Sequence, residues 1–209
     1  MASIEVVNWW KEKHQYPGSC AFKSDDGGPG MWESLGIQKF LLPDTNILEI
    51  GVGLGKDIKE LNKLGINVYA LDICEEAMKV IQNVIKGYWL HSTLDDLPSN
   101  FFDVCISHLV SQHMNNDDFK DQLKNVIRSL KSTGRLAIQY AQAKVDNSVA
   151  QLSEIDMLGA EMMGGVLRTV NEVKMLVENS GGYILQDFEM RKGPNWVWRC
   201  VHIGRKNLL

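Results

Sequence analysis

Three glycines at alternate positions mark the stretch of the chain best suited to hold a ligand. Gly51, Gly53 and Gly55 follow an apolar run at 47–50 and precede a helical pattern at 56–64. Glycine lets the backbone turn tightly and lets a ligand approach it closely, and the next helix points its first amide groups at the same place. The spacing therefore predicts a strand, a binding loop and a helix in succession.

The loop departs from the dinucleotide-binding pattern G-x-G-x-x-G, because Lys56 stands where the third glycine would fall. Glu49, two residues before the first glycine, adds an anionic group at the end of the strand. A negative site suits a cationic ligand better than a pyrophosphate. The segment resembles motif I of the class I methyltransferases, which bind S-adenosylmethionine, a sulfonium cation that also carries an ammonium group.

Strand and helix patterns alternate through the middle of the chain. Strands are expected at 67–72, 88–91, 102–107 and 135–140, and helices at 75–85 and 117–130. Asn116 or Asp117 could cap the second of these helices, and a turn at 131–134 follows it. This alternation predicts an α/β fold with a doubly wound, mostly parallel sheet, whose ligands lie at the carboxyl ends of the strands. A helix at 169–179 precedes strands at 183–190 and 196–203, which the short turn 191–195 forces into an antiparallel hairpin. The class I methyltransferases are similar at their C-terminus.

The resemblance implies a division of the chain. Residues 46–209 would form the S-adenosylmethionine-binding methyltransferase domain, and residues 141–168 would be a variable insert within it, a polar link followed by a helix. Residues 1–45 would form an N-terminal helical cap or lid.

The resemblance also implies the residues that bind the cofactor. Asp72, at the end of the second strand, would accept hydrogen bonds from the ribose hydroxyls, although an aspartate there could instead cap the helix that opens at Glu75. Adenine would be contacted by the Thr93 hydroxyl and the Leu94 amide, or by Asp95; the alternative is a solvated acidic loop. The predicted cofactor set is completed by Glu49, Gly51, Gly53, Gly55, Ile73 and Ser107.

The acceptor and the reacting methyl group are expected next to the fourth strand. His108 follows that strand and is the candidate general base, with Tyr140 second; a lone histidine is equally consistent with packing. His113 matches a histidine that many family members carry, and it is expected to hold the loop beside the acceptor. Aromatic side chains that would roof the acceptor pocket, unless they simply pack in the core, are Trp10, Trp32 and Trp198.

Several absences limit the function. The chain lacks the Asn/Asp-Pro-Pro-Tyr motif of enzymes that methylate the amino groups of bases or glutamine. Ser107 and the pair Gln139-Tyr140 stand where the metal-dependent catechol type has acidic ligands, so we expect no metal. Cys20, Cys74, Cys105 and Cys200 have no metal-binding spacing and are expected to be reduced thiols.

The overall composition fits a cytoplasmic protein. A net charge of -4 argues against a nucleic-acid partner, no apolar stretch is long enough to cross a membrane, and the N-terminus lacks the features of a signal peptide. The sequence leaves the oligomeric state open.

The favoured function is transfer of a methyl group from S-adenosylmethionine to oxygen or nitrogen of a small-molecule acceptor, with S-adenosylhomocysteine as the other product. A non-catalytic cofactor-binding or scaffold protein remains an alternative. An NAD-dependent oxidoreductase is disfavoured by Lys56 and by the terminal hairpin.

Overall fold

The computed structural model describes residues 4–15, 31–143, 165–192 and 196–206. Its strands are β1 (Asn46–Ile50), β2 (Asn67–Asp72), β3 (Gly87–Leu90), β4 (Phe102–Ser107), β5 (Leu130–Ala143), β6 (Gly182–Lys192) and β7 (Trp196–Arg205). Its α-helices are α1 (Ile4–Gln15), α2 (Lys56–Lys63), α3 (Glu75–Ile81), α4 (Asn116–Ser129) and α5 (Val170–Asn179). The sheet has the order β3-β2-β1-β4-β5-β7-β6.

The direction of the strands confirms the predicted fold class. Strands β1 to β5 pair in parallel, whereas β7 lies antiparallel between β5 and β6. The order in which the chain adds strands to the sheet reverses beside β1, because β2 lies on one side of β1 and β4 lies on the other. Ligands of open α/β sheets bind at the carboxyl ends of the strands beside such a switch point.

Helices pack on both faces of the sheet, because successive side chains of each strand point to opposite faces. On one face Leu48 packs in a buried cluster with Phe119 of α4. On the other face Ile47 packs in a second cluster with Ile58 and Leu61 of α2. The two apolar layers hold the sheet rigidly, and the carboxyl ends of β1, β2 and β4 are fixed relative to one another.

Some local predictions were wrong. Helix α4 is capped by Asn115, whose side chain accepts a hydrogen bond from the Asp118 amide at 2.8 Å, and neither Asn116 nor Asp117 is the cap. Residues 131–134, the predicted turn, fall within the bounds of β5 but bulge from its pairing with β4, because Phe102 pairs with Leu130 and Val104 with Arg135. A Cβ atom on Gly134 would lie 2.8 Å from the Phe102 carbonyl oxygen, so this close approach of β4 requires glycine. Helix α3 ends at Ile81, four residues before the predicted end.

The predicted N-terminal cap and insert are described only in part. Helix α1 and two short 3-10 helices (Met31–Leu35 and Gln38–Phe40) occupy the first segment, and residues 16–30 lie outside the described residues. Residues 141–143 of the predicted insert extend β5, and residues 144–164, which include its predicted helix, lie outside the description. The division into cap, domain and insert stays a prediction.

Two general expectations can be compared with the described residues. Cys74, Cys105 and Cys200 are buried free thiols, whereas Cys20 lies outside the description. Among the described helices, none combines the length and the apolar character that a membrane span requires.

Candidate active site

A cavity of about 600 Å³ lies at the carboxyl ends of β1, β2 and β4. Its walls come from the loops that follow these strands, from α1 and from the first half of α4. The structure brings together here eight of the residues predicted for the site: Trp10, Glu49, Gly51, Gly53, Asp72, Ile73, His108 and His113.

The glycine loop needs glycine for two separate reasons. All three glycines have positive φ values, 75° at Gly51, 49° at Gly53 and 69° at Gly55, a conformation that L side chains rarely adopt. A Cβ on Gly51 would also overlap the side chain of Val110, and one on Gly55 would overlap Ile81. Gly51 and Gly53 line the cavity, whereas Gly55 caps the N-terminus of α2 and packs against α3.

Three buried carboxylates surround this loop. Glu49, Asp57 and Asp72 are each at most 8 % exposed. Burial raises the pKa of Glu49 well above its ordinary value, and the negative charges of Asp57 and Asp72 raise it further. Burial likewise raises the pKa of Asp57, to about 6. Bringing a cation into this cluster would relieve the repulsion among the three groups.

Asp72 connects the end of β2 to the glycine loop. Its Oδ1 accepts a hydrogen bond from the Cys74 amide at 3.0 Å, and its Oδ2 accepts one from the Gly53 amide at 3.4 Å. The N-cap of α3 is Cys74, so Asp72 is not the helix cap that the sequence left as an alternative. It instead fixes the loop while its carboxylate faces the cavity.

His108 is the first residue after β4. Its ring is partly exposed, but Nε2 is buried and has no hydrogen-bond partner among the described residues. Burial lowers the pKa of His108 from 6.5 to about 4, so the imidazole is neutral at pH 7. A neutral histidine with a vacant ring nitrogen can accept a proton or donate a hydrogen bond to a ligand.

Aromatic rings from α1 and from the loop after β4 form part of the cavity wall. Trp10 of α1 meets His113 edge to face, with ring centroids 4.8 Å apart and planes at 78°. Trp9 meets Trp10 at 4.7 Å in the same way. The His113 amide donates to the Val110 carbonyl at 2.8 Å, which fixes the turn of the loop. Helix α1 therefore covers the cavity with aromatic surface.

The loop between β4 and α4 is held by a buried arginine that the sequence reasoning did not single out. Arg168 is 1 % exposed; its guanidinium donates to the carbonyls of Ser111 (2.7 Å) and Met114 (2.6 Å) and to the Asn116 side chain (2.9 Å). It also lies over the Phe119 ring at 4.6 Å. These contacts fix the wall that carries His113.

The structure does not bring Tyr140 to the cavity. Its hydroxyl donates to Asp187 at 3.0 Å, and Tyr140 is not among the described residues that line the cavity. Successive residues of a strand face opposite sides, and it is Gln139 whose side chain accepts a hydrogen bond from the Leu109 amide at 2.9 Å. Burial raises the pKa of Tyr140, and the negative charge of Asp187 raises it further.

Trp32 and Trp198 are also absent from the described residues that line the cavity. Trp32 packs in the core beside α2, and its indole nitrogen donates to Glu60 at 3.0 Å. Trp198 lies in β7 opposite Ala141, near the carboxyl end of β5. Trp32 thus follows the alternative of core packing.

The residues predicted to contact adenine do not line the cavity in the described structure. Thr93 is exposed, and its hydroxyl donates to the Leu90 carbonyl at 3.0 Å. Leu94 is buried in the core. Ser107, predicted for the rest of the cofactor set, is fully buried at the end of β4 and is also not among the described residues that line the cavity.

Four polar residues that sequence reasoning missed do line the cavity: His91, Gln112, Asp118 and Gln122. All are buried, and three of them carry side-chain atoms without a hydrogen-bond partner among the described residues. Asp118 and Gln122 are spaced i, i+4 on α4, beside the apolar positions Phe119 and Leu123. Polar residues within a buried helix face are the signal that could have revealed them.

The described residues hold no group of three or more histidine, cysteine or acidic side chains placed to bind a metal ion. The prediction of a metal-independent enzyme remains to be tested.

Sequence comparison assigns the core of this site to a family. Residues 48–138 match the family model described as a methyltransferase domain, and this segment contains the glycine loop, Asp72 and His108. No curated protein matches the sequence.

Solved structures show the same fold. Phosphoethanolamine N-methyltransferase 2 from Haemonchus contortus, in complex with S-adenosylmethionine, superposes with a TM-score of 0.73 at 15 % identity, over 99 % of this chain and 61 % of that one. A TehB-like S-adenosylmethionine-dependent methyltransferase from Corynebacterium glutamicum gives 0.63 at 18 % identity, over 88 % and 92 %. A mitomycin 7-O-methyltransferase gives 0.63 at 20 % identity, over 94 % and 60 %. The chain thus spans about three fifths of the first and third of these proteins.

The family match, the sheet order and the glycine loop agree. Residues 48–138 match a methyltransferase domain, and the fold of the chain is that of the class I, S-adenosylmethionine-dependent methyltransferases.

Proposed function

We propose that this protein transfers a methyl group from S-adenosylmethionine to an oxygen or nitrogen atom of a small-molecule acceptor. The observation that carries the proposal is the group of buried carboxylates, Glu49, Asp57 and Asp72, around a glycine loop at the end of β1. A buried anionic group of this kind selects a cationic ligand and disfavours a pyrophosphate.

The residues fit the cofactor that the fold implies. The Oε2 atom of Glu49 is buried without a hydrogen-bond partner among the described residues, so it is available to an ammonium group. The Asp72 carboxylate would accept bonds from ribose hydroxyls, and the Ile73 side chain would pack against the base. When bound, S-adenosylmethionine supplies a methyl group on a positively charged sulfur. The neutral thioether that remains after methyl transfer is a good leaving group.

The chain itself would position the two reactants, exclude water from the site and accept a proton. Holding two reactants in near-attack geometry can provide ~7–11 kcal/mol of barrier reduction. Trp10 and His113 would form the wall that holds the acceptor and keeps water away. His108, neutral at pH 7 and vacant at Nε2, would accept the proton of an acceptor hydroxyl or ammonium group.

The size and the lining of the cavity favour a small acceptor. A volume of about 600 Å³ lies within the range of small-molecule sites, and the aromatic helix α1 covers one side. The structural neighbours include proteins described as an O-methyltransferase and an N-methyltransferase. They support a small acceptor for this chain and leave the choice between oxygen and nitrogen to experiment.

Turnover with a panel of acceptors tests the proposal. Purified protein is incubated with S-adenosylmethionine and a set of phenols, alcohols and small amines, and S-adenosylhomocysteine and methylated acceptor are quantified by mass spectrometry. We expect the two products to appear in equal amounts with at least one acceptor. Glu49→Gln should lower the rate at limiting cofactor, whereas Asp96→Asn, a change at an exposed acid, should not. Acceptor oxidation coupled to NAD reduction, without S-adenosylhomocysteine, would contradict the proposal.

A further inference from the structure

The corner of the cavity between β3 and α4 is lined by buried polar atoms that have no hydrogen-bond partner in the described part of the chain. Gln122 of α4 is 1 % exposed, and both its amide oxygen and its amide nitrogen are without a hydrogen-bond partner among the described residues. His91, the first residue after β3, is 6 % exposed, and its Nε2 is likewise unpartnered there. Both side chains line the cavity. Buried polar atoms in folded proteins nearly always have a partner, so this corner is built for a polar ligand or for ordered water.

Gln122 and His91 reach this corner from two elements that pack together. The 3-10 helix His91–Asp96 packs against α4. Burial lowers the pKa of His91, and the nearby charge of Asp118 partly opposes that effect. Asp118 also lines the cavity one helical turn before Gln122. The corner is therefore shared by the loop after β3 and by one face of α4.

The order of the strands places this corner at the base end of a bound nucleoside. The glycine loop follows β1, the ribose-binding candidate Asp72 ends β2, and His91 follows β3, which is the next strand in the sheet. A nucleoside whose ribose lies at Asp72 would direct its base away from the glycine loop, toward β3 and α4. The acceptor wall of Trp10 and His113 comes from α1 and the loop after β4 instead.

The hydrogen-bonding groups of the Gln122 amide are complementary to those on the amino edge of adenine. A glutamine amide presents one acceptor and one donor side by side, and adenine presents an amino donor beside a ring-nitrogen acceptor. The segment that resemblance suggested for this role is turned away, since the Thr93 hydroxyl bonds to Leu90 and Asp95 is exposed.

We propose that Gln122 of α4, with His91 beside it, binds the amino edge of the adenine of S-adenosylmethionine and so determines the base specificity of the site. The Gln122 amide oxygen accepts from the exocyclic amine, and its amide nitrogen donates to the adjacent ring nitrogen. This inference rests on the proposed function and replaces Thr93, Leu94 and Asp95 as the adenine-contacting residues.

The contact between Gln122 and adenine is tested by changing Gln122 in the protein and the amine in the ligand, first separately and then together. Binding of S-adenosylhomocysteine is compared by calorimetry with binding of its analogue that has purine in place of adenine and so lacks the amine. Wild-type protein should bind S-adenosylhomocysteine at least about tenfold more tightly, which is ~1.4 kcal/mol. Gln122→Met, close in volume but without the amide, should bind both ligands with the weaker affinity. The control variants Thr93→Val and Asp95→Asn should keep the full preference.

Each outcome decides the inference. Equal binding of the two ligands by wild-type protein, or a preference that survives in Gln122→Met, would overturn it and leave ordered water as the occupant of the corner. Loss of the preference in Thr93→Val or Asp95→Asn would return the role to the loop after β3.

A second variant serves if Gln122→Met fails to fold. Gln122→Glu keeps the shape of the side chain but lacks the donor, so it should weaken S-adenosylhomocysteine binding about tenfold. Unchanged binding would refute the contact. Failure of wild-type protein to bind S-adenosylhomocysteine at all would refute the proposed function itself, whereas binding without preference refutes only the role of Gln122.

Discussion

Replacing His108 with glutamine separates proton transfer from binding. The side chain has similar size and polarity, but it cannot accept a proton near neutral pH. General-base catalysis typically contributes 10²–10⁴-fold, and a base weakened by burial should fall near the lower end of that range. We therefore expect His108→Gln to lower kcat by roughly 10²-fold while the affinity for S-adenosylmethionine stays close to that of the wild type.

The pH profile follows from the burial of the ring. An ordinary histidine would give a rate that rises with pH near 6.5, as the sequence alone leads one to expect. Because burial lowers the pKa of His108 to about 4, kcat should be nearly constant above pH 6 and should fall only near pH 4. His108→Gln should lack this acidic limb.

The same pKa makes a prediction about stability. The unfolded chain binds a proton near pH 6.5, whereas folded His108 does not bind it until about pH 4, so the free energy of unfolding falls as the pH drops between these values. At ~1.4 kcal/mol per pKa unit, the loss amounts to roughly 3 kcal/mol. His108→Gln should remove this part of the acid sensitivity.

The assay measures kcat at saturating acceptor and cofactor from pH 3.5 to 8.5, with the Tm recorded at each pH to exclude unfolding. A wild-type limb centred near pH 6.5 would contradict the buried, neutral histidine. A variant with near wild-type kcat and an unchanged pH profile would remove His108 from the mechanism and leave positioning as the contribution of the chain.

Three further predictions concern the cofactor site. Asp72→Ala should weaken S-adenosylmethionine binding by ~1.5–3 kcal/mol in calorimetry, because it removes charge-assisted bonds to the ribose. The control Asp96→Ala, at an exposed acid, should leave the affinity unchanged. Equal affinities of Asp72→Ala and wild type would contradict the assignment. Since burial raises the pKa of Asp57 to about 6 and a cation binds the ionised carboxylate, S-adenosylmethionine affinity should increase from pH 5 to 7 and then level off, and Asp57→Asn should flatten the curve. Activity should survive EDTA; complete loss that magnesium restores would show that the enzyme needs a metal.

Sequence reasoning was most successful where local chemistry and position coincide. A glycine loop at a strand end constrains backbone conformation directly, so the positions of Gly51 and Gly53 follow from the spacing of the glycines alone. Asp72 and His108 follow from a related rule, since parallel strands bring their carboxyl ends to one edge. These residues line the same cavity.

Sequence reasoning failed where a side chain's direction decides the outcome. Tyr140 and Gln139 are neighbours in β5, and only the register of the strand shows that Gln139 faces the loop after β4. Thr93 lies in a short 3-10 helix with a kink, whose geometry turns its hydroxyl back to Leu90. Gln122 was overlooked because it sits in α4, an amphipathic helix in which a polar residue normally faces solvent.

The central claim is that this site selects a sulfonium nucleoside over a dinucleotide, and one calorimetric comparison tests it most directly. Purified protein at pH 7.5 is titrated in parallel with S-adenosylmethionine, S-adenosylhomocysteine and NAD. The group formed by Glu49, Asp57 and Asp72 predicts micromolar or tighter binding of the first two, about -8 kcal/mol, and no measurable binding of NAD. Binding of NAD without binding of either sulfur nucleotide would contradict the account.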